Sequence, residues 1–215
     1  MKKGLTEIVF ILDRSGSMAG LEQDTIGGFN AMIAKQRKEP GEAYISTVLF
    51  DNHTDVIHDR QKLDCISALT EKEYYVRGCT ALLDAVGEAI HHIGNVHKYA
   101  REEDRPEKTI FIITTDGMEN ASRQYSYEKV KSMIQKQKEQ FGWEFLFLGA
   151  NIDAAREAAR FGISPDRAAN YHADPIGTNV VYESVSDSLC DFRASMPMGT
   201  GWKQKIDADF KKRRR

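Results

Sequence analysis

Three short stretches of this chain carry side chains that could do chemistry together. Asp13-Arg14-Ser15-Gly16-Ser17 sets a carboxylate and two hydroxyls on alternate residues. In an extended segment alternate side chains point the same way, so Asp13, Ser15 and Ser17 can aim three oxygens at one spot. Gly16, between the serines, leaves room for a tight turn. Far along the chain, Gly78-Cys79-Thr80-Ala81 offers another hydroxyl and Thr115-Asp116-Gly117 a second carboxylate. Singly, each stretch has an ordinary explanation, because Ser, Thr and Asp are common N-caps and turn formers. Jointly they are a hard, oxygen-only set that suits Mg²⁺ or Mn²⁺ better than zinc or copper.

Each stretch adjoins an element able to hold it. Ile8–Leu12 is an unbroken apolar run, as expected of a strand covered on both faces, and Thr109–Thr115 is a second β-rich run. Asp13 and Asp116 therefore fall at the carboxyl ends of buried strands. Leu21, Thr25, Phe29 and Met32 recur at helical spacing, which predicts a helix ending before Pro40-Gly41. Tyr44–Phe50 and Thr54–His58 are joined by Asp51-Asn52-His53, a link too short for a crossover, so they predict an antiparallel hairpin. Helical periodicity returns in Ala81–Ala100, Tyr127–Phe141, Asp153–Phe161 and Thr178–Ala194. Strand signal returns in Trp143–Leu148 and, weakly, in Ala168–His172. This alternation predicts an α/β domain with a mostly parallel sheet, one antiparallel edge strand and helices on both faces. In such sheets ligands bind beyond the carboxyl ends of the strands, where strand order reverses.

Asp13-x-Ser15-x-Ser17 after an apolar strand, Thr80 in a Gly-x-Thr loop and Thr115-Asp116-Gly117 after a later strand resemble the von Willebrand factor type A (vWA) domain. All five positions of that family's metal-ion-dependent adhesion site (MIDAS) match, and the resemblance covers about residues 5–195. It implies a three-layer, Rossmann-like fold with strand order 3-2-1-4-5-6. It also implies that Ser15, Ser17 and Thr80 are direct ligands of Mg²⁺, with Mn²⁺ or Ca²⁺ as substitutes, while Asp13 and Asp116 act largely through bound water. Neutral hydroxyls leave a divalent cation under-neutralised and attractive to an anion. The expected function is a metal-dependent interaction module whose open coordination position accepts an Asp or Glu of a partner protein.

Composition narrows the alternatives. The chain has 215 residues, 41% of them hydrophobic, which suits one globular domain with its own core. Thirty Lys+Arg against 32 Asp+Glu argue against a dedicated nucleic-acid partner. No apolar run approaches the roughly 18 residues that a membrane span needs. Lys211–Arg215 carry five positive charges, leaving 25 basic against 32 acidic groups in the rest of the chain. Residues 1–200 read as a single domain and 201–215 as a basic, disordered tail. Cys65, Cys79 and Cys190 form no CxxC pair and read as reduced thiols. With no cleavable leader after Met1-Lys2-Lys3, a cytoplasmic location is expected.

Catalysis is not expected. A two-metal hydrolase would want more carboxylates, and no GxxxxGK loop is present. Ser15 stands where a phosphate-transferring aspartate enzyme would carry a second Asp. A Mg²⁺-dependent hydrolase or phosphatase-like enzyme is the alternative function, and a scaffold with a dispensable metal site is another. His91, His92 and His97 lack the three- or four-residue spacing of a helical ligand pair. Gly149-Ala150-Asn151 reads as an ordinary turn between a strand and a helix.

Overall fold

In the computed structural model, which describes residues 1–213, the apolar runs become the inner strands of one six-stranded sheet. Its strands are β1 (Lys2–Asp13), β2 (Glu42–Phe50), β3 (Thr54–Lys62), β4 (Pro106–Thr115), β5 (Glu144–Ala150) and β6 (Ala168–Tyr171). They lie in the order β3-β2-β1-β4-β5-β6, parallel except for the β2–β3 hairpin. Helices α1 (Glu22–Gln36), α2 (Leu82–Tyr99), α3 (Tyr127–Phe141), α4 (Ala154–Arg160), α5 (Pro175–Arg193) and α6 (Gln204–Arg213) cover its two faces. None is long and apolar enough to cross a membrane.

Alternation along β1 sorts the core into two layers. Ile8, Phe10 and Leu12 point to the face where Phe29 and Met32 of α1 and Val181, Val185 and Leu189 of α5 pack. Val9 and Ile11 point to the other, against Leu82, Val86 and Ile90 of α2 and Val130 and Ile134 of α3. Both faces being covered explains why the inner strands read as continuous hydrophobic runs. Helix starts follow local chemistry: Ser126, Asp153 and Asp174 accept the N–H groups of Lys129, Arg156 and Gly177 as N-caps of α3, α4 and α5. Gly142, left-handed at φ 65°, ends α3.

Two expectations need correction. Strands β1 and β3 run longer than their apolar cores, from Lys2 and to Lys62 respectively, because sheet pairing carries polar residues along. The tail from residue 201 is not disordered as far as Arg213. A 3-10 turn over Thr200–Lys203 leads into α6. Ile206 there is 1% exposed in the α1/α5 core layer, and the Phe210 ring stacks on His172 at 4.7 Å. Trp202 Nε1 donates to the Asp166 carbonyl (2.8 Å), and Arg213 pairs with Asp209 and Asp174. Trp202, Ile206 and Phe210 recur every four residues, an apolar stripe that the flanking charges conceal. Arg214 and Arg215 lie outside the described residues.

Candidate metal centre

β1 and β4 are adjacent at the centre of the sheet, with Leu12 beside Thr114, so Asp13 and Thr115 end their strands level. Strand order reverses here, leaving a crevice above the two ends. Asp13 is fully buried and both its oxygens are taken. Oδ1 accepts the Ser15 N–H (2.7 Å), and Oδ2 accepts the Thr115 hydroxyl (2.7 Å) and the Asp116 N–H (3.4 Å). Asp116, also buried, accepts the Asn151 side-chain amide on Oδ1.

The three hydroxyls meet beside these carboxylates. Ser15 Oγ lies 3.0 Å from Ser17 Oγ and accepts the Thr80 hydroxyl at 3.1 Å. Gly117 closes the crevice, since a Cβ there would stand 3.4 Å from both Ser17 Oγ and Thr80 Oγ1. Asp13, Ser15, Ser17, Thr80 and Asp116, read from three distant stretches of sequence, thus share one site.

Burial pushes the Asp116 carboxyl up to about 6; the Asn151 hydrogen bond opposes the rise and the nearby Asp13 charge adds to it. Burial raises Asp13 as well, against the hydrogen bonds it receives from Ser15, Thr115 and Asp116. Among the described residues neither carboxylate has a cationic side chain in a salt bridge, because Arg14, next to Asp13, turns away to Asp51 and Asp55. Two buried carboxylates without a counter-charge are the environment a cation relieves.

The donors fit a hard divalent ion. In an octahedron of oxygens at Mg²⁺ distances, neighbouring ligands stand about 2.9 Å apart. The hydroxyl spacings of 3.0 and 3.1 Å lie close to that edge. No cluster of three or more His, Cys, Asp or Glu side chains arranged to hold a metal occurs among the described residues. The site has two carboxylates and draws its remaining oxygens from alcohols.

A charged clamp holds the Thr80 loop against the Ser15 loop, and sequence reading missed it. Arg14, 2% exposed, donates to Asp51 Oδ2 (2.8 Å) and pairs with Asp55. Arg77 reaches the same two carboxylates at 2.7 and 3.2 Å. Burial pushes the Asp51 carboxyl up, but the Arg77 hydrogen bond, the His53 N–H and Arg14 together hold it below the usual carboxylate range. Backbone bonds finish the join: Gly16 N–H to the Gly78 carbonyl (3.1 Å), Arg77 N–H to the Arg14 carbonyl (2.9 Å) and Ala81 N–H to the Asp51 carbonyl (2.9 Å). Gly78 sits at φ 68° with Asn52 Oδ1 2.1 Å from where a Cβ would be, so glycine is required there. Gly16 has no positive φ; its expected turn is a close backbone approach to Gly78. Asn120 and Thr80 exchange two hydrogen bonds, the Thr80 N–H to Asn120 Oδ1 (3.0 Å) and the Asn120 N–H to the Thr80 carbonyl (3.1 Å). Glu119 accepts the Leu83 N–H at the start of α2 (2.8 Å), tying the 117–126 loop to the same helix.

Asn151 was also missed, having been read as part of a plain turn. A cavity of about 760 Å³ lies at the opposite end of the sheet between α2 and α3, near Trp143 and Pro106.

No protein-family model matches the sequence, and no curated protein sequence matches it. Solved structures do match the fold. Proximal thread matrix protein 1 from the mussel byssus superposes with a TM-score of 0.59 at 16% identity, over 87% of this chain and 46% of its own. The von Willebrand factor type A protein from Catenulispora acidiphila does so with 0.56 at 16% identity, over 85% and 42%. The fold is that of a vWA domain. The mussel protein has also been solved with a zinc-occupied MIDAS motif (TM-score 0.57, 16% identity, 86% and 46% covered). Manganese-loaded Plasmodium vivax TRAP protein superposes with 0.56 at 15% identity, over 84% of this chain and 73% of its own. This vWA-fold chain spans less than half the length of the mussel and Catenulispora proteins.

Proposed function

We propose that the chain is a metal-dependent protein-interaction module. In this reading Ser15, Ser17, Thr80, Asp13 and Asp116 hold Mg²⁺, with Mn²⁺ or Ca²⁺ as substitutes, and the partner is a protein that presents an Asp or Glu carboxylate. The observation that carries it is the Ser15 hydroxyl lying 3.0 Å from that of Ser17 and 3.1 Å from that of Thr80, close to octahedral-edge spacing, beside two buried carboxylates with no salt-bridge partner among the described residues. The vWA fold and the metal-loaded neighbours support it.

When bound, the cation supplies a positive centre that attracts an anionic side chain. The protein's part is to keep that centre from being neutralised. Ser15, Ser17 and Thr80 contribute oxygens without charge. Asp13 spends both oxygens on protein donors, and Asp116 has one taken by Asn151. Their negative charge would attract the ion, and the three neutral hydroxyls would supply oxygens to hold it. Recognition of this kind needs no bond to break, so binding without turnover is part of the proposal. So is a cytoplasmic location, which rests on the three free cysteines.

The test is thermal unfolding with Mg²⁺ or Mn²⁺ for wild type, Thr80→Ala and Asp116→Ala. A ligand that binds only the folded state raises stability by about 2.7 kcal/mol at a hundredfold excess over Kd. Wild type should gain this and both variants should lose most of it while folding normally in EDTA. A wild type indifferent to the metal would overturn the reading. Metal-dependent hydrolysis of a phosphate ester, abolished by the same substitutions, would replace it with the enzyme alternative.

A further inference from the structure

Asp13 and Asp116 are held very differently. Asp13 accepts three hydrogen bonds shared between its two oxygens, two of them from backbone N–H groups that cannot swing away. Asp116 accepts one side-chain hydrogen bond among the described residues, from Asn151 to Oδ1. The donor comes from the next strand. Thr115 pairs with Gly149, so Asn151 leaves β5 one residue beyond the level of Asp116.

Its backbone is unusual. Asn151 has φ 55°, the left-handed region that L-residues avoid and Asn and Gly tolerate. Gly149 before it has no room for a Cβ, with Ile152 and Ala154 carbons 2.8–2.9 Å from that point. A glycine would suit the turn as well as asparagine does. What asparagine adds is an amide aimed at Asp116.

We propose that Asn151 is a positioning residue that holds the Asp116 carboxylate outside the inner coordination shell, and so reserves a coordination position for the incoming carboxylate. This rests on the metal-binding reading above. Without the amide, Asp116 Oδ1 is free to turn toward the ion in place of a water. Coordination by a carboxylate then strengthens metal binding and weakens the site's attraction for a partner's acid. The residue controls the site's openness without touching the ion.

Mn²⁺ is the probe, because bound Mn²⁺ reports both affinity and the number of coordinated waters through proton relaxation. Asn151→Gly removes the amide while suiting the left-handed backbone, and thermal unfolding in EDTA verifies its fold; Asn151→Ala is the second variant. The expected result is Mn²⁺ binding about tenfold tighter with one water fewer on the ion, comparable in size but opposite in sign to the loss usual when a group that orients a metal ligand is removed. In an Asp116→Asn background the same substitutions should change neither quantity, since the carboxylate they release is gone. If wild type binds no Mn²⁺, the metal-binding reading itself fails. If it binds but affinity and hydration are unchanged in both Asn151 variants, or the change persists without the Asp116 carboxylate, the role of Asn151 is overturned and the metal site survives.

Discussion

Replacing Asp51 by alanine should damage this protein more than any single change at the metal ligands, although Asp51 makes no hydrogen bond to any of the five. The Arg14 guanidinium it pairs with is 2% exposed and has no water to fall back on. Removing one partner of a buried ion pair costs about 3–5 kcal/mol, because the other charge stays buried and unpaired. Asp55 still meets Arg14, but it is half exposed and compensates only part of that charge, which places the expected loss near the lower limit, about 3 kcal/mol. For a chain of this size that lowers the melting temperature by about 6–12 °C. Arg77, 42% exposed, shares the same carboxylate and serves as the control. Its charge is solvated, so Arg77→Ala should barely move the midpoint. The assay is thermal or urea unfolding in EDTA, followed by Mn²⁺ titration at a temperature where all variants are folded. Asp51→Ala should also bind Mn²⁺ more weakly, because the clamp sets the distance between the Ser15 and Thr80 loops. An Asp51→Ala protein as stable as wild type, or an Arg77→Ala protein equally damaged, would refute the assignment of this energy to the buried Arg14 charge.

Two further outcomes test other parts of the structure. Ile206→Ala should destabilise by about 2–4 kcal/mol in urea unfolding, as expected of a large-to-small change in a core; a disordered tail would show no effect. His58 is buried with its ring nitrogen 3.0 Å from Thr47 Oγ1, and burial lowers its pKa below the usual 6.5. The unfolded chain therefore takes up a proton first on acidification. The contribution of His58 is complete above about pH 6.5 and is lost as pH falls through its lowered folded value. Unfolding midpoints of wild type should drop between pH 7 and 5 more than those of His58→Gln, and parallel curves would count against this.

The site and its frame were legible to different depths. Ile8–Leu12 and Ile110–Thr115 announced strands covered on both faces, and the carboxylates at their ends pointed to the crevice. Asp13, Ser15 and Ser17 were readable because they are chain neighbours, but the extended segment expected to align them ends at Ser15: Gly16–Met18 form a 3-10 turn, and it is this turn that leaves Ser17 Oγ 3.0 Å from Ser15 Oγ. The C-terminal helix was misread because its charges outnumber an apolar stripe of three residues, and only packing against α5 and β6 shows that stripe in use.

By itself, the sequence determined which residue types are available and which local segments carry them: an oxygen-only donor set, buried strands and helices with one apolar face. Tertiary structure alone decided the pairings. Arg14 meets Asp51 and Asn151 meets Asp116 across 37 and 35 residues of chain, and these contacts follow from strand order and register. Local periodicity reports whether a side chain faces inward. Which inward-facing groups come within hydrogen-bonding distance depends on how separate strands align, and that is settled when the whole sheet forms.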